Sequence, residues 1–475
     1  MTGNYRGISL LSIPGKVYAS ILLHRVAAQV ESTLHEAQCG FRPGRGTVDA
    51  MFVLRSLGAA CGEYTTCLAK AYIDLTKAYD SINRWALWKV LKLYAVHPKL
   101  IALLEDLHSG TSAAVRLDGR VGTAFAVTAG VRQGCVAAPM LFNIFIDHVV
   151  KQALSRMPEG CGVRIHVHSS SGRGGEQTAA ANTIERIILL LYADDMVLLS
   201  FDPVELAVML RVVDEVASEY GMTINAAKTE IQIQHTASNH APAPTVTLSG
   251  GEVKAAQEFK YLGGWTQEDW GMEKEIEARR GRGMGVFQRF GKVWANRKLK
   301  VAHKMAVYNS FVMPHFLYGS ETWNCTATQL HALETAHSAC LRRILGASLT
   351  DRHSLQHIRH ACGSQPIELL VIKRTFQWLG HVMRMPASRY PAMVFGCVPE
   401  GGKRMRGRPK GTYRHTHTFM LKRVDVDDPR KWLDGMRERA QDRVSWRAEV
   451  KGFETSAPAT SARQRTRPYL GRSCK

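Results

Sequence analysis

Residues 187 to 200, IILLLYADDMVLLS, set two apolar, β-prone runs on either side of a tetrapeptide that carries two adjacent carboxylates, Asp194 and Asp195. Such runs form strands and the tetrapeptide can turn, so the segment predicts a β-hairpin with an acidic tip. A rigid hairpin that holds two carboxylates side by side offers oxygen ligands to divalent cations. Aspartate is also an ordinary turn former. The segment alone leaves both readings open, and the decision falls to the rest of the chain.

At 475 residues the chain can hold two or three domains around large cores. Hydrophobic residues at 45% and charged residues at 22% are the balance of a folded globular protein rather than a disordered one. Lys and Arg total 62 against 41 Asp and Glu, a net charge of +21 with a pI near 9.7. That excess points to a polyanionic partner, nucleic acid above all, although a basic ribosome-like or membrane-surface protein has a similar count. Ten scattered cysteines without a CxxC argue against a disulfide framework or a zinc ribbon and for a reducing compartment. Arg6, Pro14 and Lys16 interrupt the apolar stretch of MTGNYRGISLLSIPGK, which does not read as a signal peptide. No apolar run reaches the roughly 18 residues of a membrane span, so a soluble protein without a membrane partner is expected.

Helical and strand patterns alternate through residues 1–265. Ile21, Leu22, Val26 and Val30 recur at helical spacing, as do Leu87, Val90, Leu91 and Tyr94, and CLAKAYIDL between them reads as a strand. SSSGRGGEQTAAANT at 169–183 and QHTASNHAPAP at 234–244 read as surface insertions. From about 266 to 400 strand signals vanish. Ile276, Met284, Phe287 and Phe290 lie near one helical face, a second helix is expected from Lys300 until Pro314 disrupts it, and Leu330, Leu333, Leu341, Ile344 and Leu345 mark a third. Residues 401–475 hold 20 Lys and Arg against 8 Asp and Glu, so +12 of the +21 lies in what reads as an electrostatic arm.

A second carboxylate, Asp74, ends the apolar run of CLAKAYIDL and precedes a helix. It therefore sits at a strand's C-terminal end, where a side chain can project beside a neighbouring hairpin. With Asp194 it could bracket two Mg²⁺ ions about 3.5–4 Å apart, the arrangement that clamps an in-line phosphoryl displacement. The competing role is capping the following helix, for which Asp80 is better placed. Tyr79 could lie under a bound sugar or pack in the core. In VTAGVRQGCVAAPMLFNIFID, Gly130 and Gly134 let the backbone approach a ligand and Gln133 offers one donor and one acceptor group. Lys228 in NAAKTEIQ could meet a phosphate or remain solvated, and FKYLGGWT offers an aromatic platform of a kind that also fills cores.

In order the chain reads NYRGISLLS, QCGFRPGRGTVDA, AYIDLTKAYD, GVRQGC, YADD, NAAKTE and FKYLG. That series resembles the reverse transcriptases of non-LTR retrotransposons over residues 4 to about 265. PHFLYGSETW, LRRILG, FQWLGHVMRM and GRPKGTYRH are similar, more loosely, to downstream regions of such elements. The resemblance implies an α+β right-hand polymerase: fingers and a ferredoxin-like palm in residues 1–265, the fingers partial and confined to 1–66, then a helical thumb at 266–400 and a basic C-terminal nucleic-acid-binding arm at 401–475.

Residue by residue, the resemblance makes Asp74 and Asp194 the principal metal ligands, Asp195 their acidic neighbour, and the Leu75 carbonyl a further member of the metal shell. Tyr79 becomes the steric gate against a 2′-hydroxyl, Gln133 lines the nucleotide pocket, and Arg6 and Lys228 face the triphosphate. Phe259, Tyr261, Leu262 and Gly263 form a primer grip. The implied reaction is RNA-directed DNA synthesis with two Mg²⁺ ions, for which Mn²⁺ can substitute. The implied partners are an RNA template, a DNA primer or target DNA, and deoxynucleoside triphosphates. Upstream fingers residues and an endonuclease are expected outside this frame, the endonuclease supplied elsewhere. Nuclear or cytoplasmic location follows from the lifestyle of such elements. The competing readings are a catalytically inactive nucleic-acid-binding remnant and a maturase-like RNA-binding protein.

Two weaker patterns remain. His337, Cys340, His353 and His357 run H-x₂-C-x₁₂-H-x₃-H, but Leu341, Ile344 and Leu345 make the intervening segment a packing helix, which favours a structural reading over zinc. In KRMRGRPKG, Arg404, Arg406, Arg408 and Lys410 resemble an AT-hook core, against which stands a generic basic linker that neutralises phosphates without reading sequence.

Overall fold

The computed structural model describes residues 10–167, 183–234, 242–269, 271–404 and 413–454. Helices α1 (Ile13–Val30) and α2 (Thr47–Glu63) lead into strand β1 (Leu68–Ile73), all six of whose residues are buried, as the run CLAKAYIDL requires. Short helices Ala78–Ser81, Arg84–Leu93 and Pro98–His108 follow, then the long helix α3 (Ala138–Arg156). The acidic hairpin forms as β2 (Leu189–Tyr192) and β3 (Asp195–Ser200), and helix α4 (Pro203–Glu219) returns the chain to β4 (Glu230–Gln234). Neighbouring strands run β4–β1–β3–β2, each pair antiparallel. With α3 between β1 and β2 and α4 between β3 and β4, this is the ferredoxin-like βαββαβ unit expected of the palm. Val246–Leu248 and Gly251–Ala255 extend the sheet beyond β4.

Strand alternation gives the sheet two different faces. Ala69, Ala71 and Ile73 share one with Ile231 and Ile233, which stand opposite Ala71 and Ala69 in the ladder. Helix α4 packs on β1 and β3. The other face carries Lys70, Tyr72, Gln232 and Gln234, polar yet buried. Tyr72 there stacks on Phe259 of a second hairpin, β5 (Glu258–Tyr261) and β6 (Gly264–Gln267), at 3.9 Å between ring centroids. Gln232 Nε2 donates to the carbonyls of Gln257 and Thr266 at 2.9 and 3.2 Å, which fastens that hairpin to the sheet.

Lys70 is the misfit of β1. Its Nζ donates to Gln234 Oε1 at 3.3 Å, and burial pushes its pKa down to about 7. Between pH 7 and the unfolded value near 10.5 the unfolded chain holds a proton that the folded chain has released, so stability rises with pH there. The slope approaches about 1.4 kcal/mol per pH unit for one proton. Urea unfolding of wild type and Lys70→Met from pH 7 to 10 is expected to show that slope in the difference between the two proteins, in which the opposite contribution of the buried cysteines cancels. An equal pH slope in both proteins would contradict a neutral Lys70.

Beyond Gln267 the described chain is almost entirely helical. Helix α5 (Glu273–Arg289) buries Ile276 and Phe287, as their spacing predicts. The helix that begins at Val301 does not stop at Pro314. One wide turn, Tyr308–Val312, absorbs the proline, whose missing N–H falls in the first turn of Met313–Phe316, and the chain stays helical to Phe316. Helix α6 (Ala327–Leu345) starts on a Thr326–Gln329 capping box and ends at Gly346 in the left-handed region. Helix α7 spans Ile367–Met383. In α1, Leu22, Val26 and Val30 are buried as expected, whereas Ile21 is 47% exposed.

The C-terminal region departs from an electrostatic arm. Residues 413–454 form helices Tyr413–Lys422, Pro429–Asp434, Met436–Gln441 and Arg443–Lys451. Trp446 of the last is buried beside Gly380 of α7 and donates through Nε1 to the Phe376 carbonyl at 3.0 Å. Excess charge and a packed apolar face coexist there because charge count and apolar spacing are independent properties of a helix. The zinc-like pattern also resolves into packing. His337 exchanges a 2.7 Å hydrogen bond with the Tyr308 hydroxyl and another with Ser364, Cys340 lies against Met284, and His353 stacks on His357. The described cysteines are all buried and free. No described helix is long and apolar enough to cross a membrane.

Candidate active site

The β1–β3 register runs Ile73 opposite Met196, so Asp74, one residue on, and Asp195, one residue back, emerge at the same end of the strand pair. Asp194 lies one residue further out, in the two-residue turn Ala193–Asp194 closed by the Tyr192–Asp195 pair. All three carboxylates therefore share one end of the sheet. The helix-capping alternative for Asp74 fails, because the N-cap of Ala78–Ser81 is Lys77 and Asp80 lies inside that helix. Instead the Asp74 carbonyl accepts from Asn225 N at 2.8 Å, its own N–H donates to Thr229 Oγ1, and Leu75 bridges Ile224. That second strand-like contact carries Lys228 to the site, its Nζ 3.8 Å from Asp74 Oδ2 with the side chain 69% exposed. At that distance and exposure the pair is a weak electrostatic bias rather than a lock.

Ala193 has φ +56, a left-handed conformation that costs a residue with a Cβ roughly 1–2 kcal/mol. The segment ahead of α2 holds it there. Ala193 N donates to Gln38 Oε1 at 3.0 Å, Cys39 N to the Leu191 carbonyl at 2.8 Å, and Leu191 N to the Ala37 carbonyl at 3.0 Å. QCGF marks this segment in the sequence, but its hold on the acidic turn has no local signature.

Tyr79 stacks on Phe142 of α3 with ring centroids 4.4 Å apart and is half-buried, so its ring plane is set by the core beneath it. The loop that carries Gln133 docks against the same short helix. Gly130 N and Val131 N donate to the carbonyls of Ile82 and Tyr79, and Gln133 Nε2 donates to Asp80 Oδ1 at 3.3 Å. Gly130 has φ +77, and a Cβ there would lie 2.8–2.9 Å from the Tyr79 and Asp80 backbones, so only glycine fits.

The β5–β6 turn has φ +46 at Leu262 and +82 at Gly263, the two positive values of the tight hairpin turn that suits strand twist. Phe259 and Tyr261 are used up in packing against Tyr72, at 3.9 and 5.8 Å between centroids. The tip is held from the helical region instead: Tyr318 Oη donates to the Leu262 carbonyl at 2.7 Å and Arg279 Nη2 to the Gly263 carbonyl. Glu275 accepts from Trp265 N at 2.6 Å and from Arg279 Nε at 2.7 Å, and its Oε2 lies 3.6 Å from Arg55 Nη2 of α2. This buried Arg–Glu–Arg group escaped the sequence reading. The Glu275–Arg279 spacing of four was its one visible trace.

Asp74 and Asp194 are half-buried and Asp195 is exposed. Among the described residues no three His, Cys, Asp or Glu side chains close into a metal cage. An all-oxygen donor set led by carboxylates suits a hard divalent cation of the Mg²⁺ kind, which takes one or two protein carboxylates and completes its shell with water and substrate phosphates. The residues present fit that mode rather than an all-protein cage. Arg6, Arg406, Arg408 and Lys410 lie outside the described residues, as does most of each insertion. Arg404 pairs with Glu63 at 2.7 Å.

A reverse transcriptase (RNA-dependent DNA polymerase) family model matches residues 1–265, more than half of the chain. The chain belongs to the reverse transcriptase family. Its relatives within that family include those of non-LTR retrotransposons. It is 25% identical over 356 residues to the RNA-directed DNA polymerase from mobile element jockey of Drosophila funebris, covering 72% of this chain and 36% of that protein. It is 26% identical over 345 residues to a putative 115 kDa protein in the type-1 retrotransposable element R1DM of Drosophila melanogaster, covering 72% and 30%. The chain thus spans about a third of the length of these relatives. It is also similar, at a TM-score of 0.41 and 11% identity, to a telomerase structure from Candida tropicalis, over 81% of this chain and 57% of that one. Reverse transcriptases generally use divalent metal ions, in keeping with the carboxylates at the end of β1 and β3.

Proposed function

We propose that this chain is an RNA-directed DNA polymerase of a non-LTR retrotransposon, adding deoxynucleotides to a primer 3′-hydroxyl on an RNA template. The observation that carries this reading is the convergence of Asp74, Asp194 and Asp195 at one end of β1 and β3 in a reverse transcriptase palm. Asp74 and Asp194 would hold two Mg²⁺ ions, or Mn²⁺ in their place, with Asp195 and the Leu75 carbonyl contributing. Bound there, the ions supply Lewis-acid stabilisation to the attacking and leaving oxygens. Tyr79, set by Phe142, limits room at the sugar, and Gln133 orients the base-side pocket from its loop on Ala78–Ser81. Lys228 offers positive charge to the triphosphate, aided by Arg6. The Leu262–Gly263 tip bears on the primer end.

In this reading residues 1–66 act as fingers, 266–400 as thumb, and the basic region from 401 adds non-specific affinity for phosphate backbones. Action in the nucleus or cytoplasm, on nicked target DNA, completes the proposal. The test is extension of a DNA primer annealed to RNA by the purified protein with the four deoxynucleoside triphosphates and Mg²⁺. Product growth to the template end is expected. Folded protein that binds the hybrid without extending it would favour a non-catalytic remnant and overturn the polymerase reading.

A further inference from the structure

We propose that Gln38 is a positioning residue for the acidic turn, setting where the Asp194 carboxylate stands; the inference rests on the polymerase reading above. Gln38 is fully buried, and its Oε1 accepts from two backbone groups, Gly40 N at 2.8 Å and Ala193 N at 3.0 Å. The second belongs to the Tyr192–Ala193 peptide, which enters the turn one residue ahead of Asp194. With that peptide fixed and Ala193 held at φ +56, the backbone that leads into Asp194 is set from its start. A side chain from 155 residues upstream fixes that peptide here.

Independent contacts fix the upstream segment. Asn143 Nδ2, on α3, donates to the Gly40 carbonyl at 2.7 Å, and the backbone of residues 37–39 pairs with Leu191. Gly40 faces the turn so closely that a Cβ would lie 2.5 Å from Ala193 N and 3.0 Å from the Tyr192 carbonyl carbon. Gln38 thus pulls the peptide inward from one side while Gly40 leaves it the space to stay. The strained φ of Ala193 is held by this pair of contacts and not by the turn's own sequence, since alanine has no preference for the left-handed region. A reacting geometry tolerates only about 0.5 Å of error at such groups.

Gln38→Met keeps side-chain length and apolar bulk and deletes the acceptor; Gly40→Ala pushes on the same peptide from outside. Three measurements read the consequence. Amide exchange in a peptide spanning residues 190–196 is expected to accelerate about tenfold or more in Gln38→Met while peptides from α4 and α7 exchange as in wild type, a readout that requires no activity. Single-turnover primer extension is expected to slow by roughly 10- to 100-fold in both variants, and the Mg²⁺ concentration for half-maximal rate to rise several-fold, with affinity for primer–template within about twofold. A scaffold role would lower the active fraction and leave exchange at the turn and the Mg²⁺ requirement of the surviving protein unchanged. That result overturns the proposal. Wild-type protein that extends no primer defeats the polymerase reading, and the exchange measurement then still decides whether Gln38 orders the turn.

Discussion

Asp194→Ala is expected to slow primer extension on the order of 10³-fold while leaving the fold and the grip on nucleic acid in place. The residue sits in the second position of a two-residue turn, half-buried, beyond the last ladder pair of β2 and β3. Nothing packs through its carboxylate that the strands depend on, because the hairpin is held by its ladder, by the buried flanks Leu189–Leu191 and Met196–Ser200, and by Gln38 and Cys39. Stability should therefore change little. Catalysis should change greatly: loss of this proposed metal ligand, if it removes about 4 kcal/mol of transition-state stabilisation, would cost on the order of 10³-fold in rate. Single-turnover extension of a DNA primer on RNA, with binding measured in parallel by anisotropy, checks both halves. Synthesis by Asp194→Ala within tenfold of wild type would remove this residue from the centre. Asp195→Ala, altering the exposed neighbour level with Asp74, is expected to lose less.

Glu275→Ala destabilises the protein by about 3–5 kcal/mol, the cost of leaving a buried charge unpaired. The Glu275 side chain is 1% exposed and stands between Arg55 and Arg279. Burial lowers the Arg55 pKa and Glu275 opposes that shift, so removing the carboxylate strands two guanidinium groups in a desolvated place. The same change frees Trp265 N and loosens Arg279, which holds the Gly263 carbonyl and lies over the Tyr318 ring at 4.9 Å from its centroid. Arg55 keeps its 2.7 Å hydrogen bond to Thr322 Oγ1, so the damage is not total. Glu275→Gln, which retains an acceptor for Trp265 N, should fall between. Urea unfolding measures the difference, and a loss under about 1 kcal/mol for Glu275→Ala would show that water reaches the arginines and that the group is not sealed. Because the three residues join α2, the β5–β6 hairpin and α5, the same variant should also disturb the Leu262–Gly263 tip.

Much of this architecture is legible in the sequence. The acidic hairpin, the strand β1 and the helical spacing of α1, α5 and α6 are local patterns, written in strand propensity, helical period and turn residues within a few positions of one another. The order of short blocks along the chain then placed Asp74 and Asp194 in one site, which the β1–β3 ladder allows by ending both strands together. Where local rules misled, a distant partner had intervened. Pro314 does not end its helix because a wide turn ahead of it takes up the missing hydrogen bond. Phe259 and Tyr261 pack against Tyr72, nearly 190 positions earlier, a partner that no local pattern shows. The basic C-terminal region folds onto α7 because its tryptophans find a surface there.

The sequence by itself determined the carboxylates, the strands that carry them and the family to which they belong, since each depends on residues adjacent in the chain or on their linear order. Only the tertiary structure decided that Ala193 would be held in a strained conformation by Gln38, that Gly40 would have to be small, and that Glu275 would be sealed between two arginines. Such contacts join residues tens to hundreds of positions apart. Which side chains meet is set by how the elements pack, and no local period or turn preference encodes it.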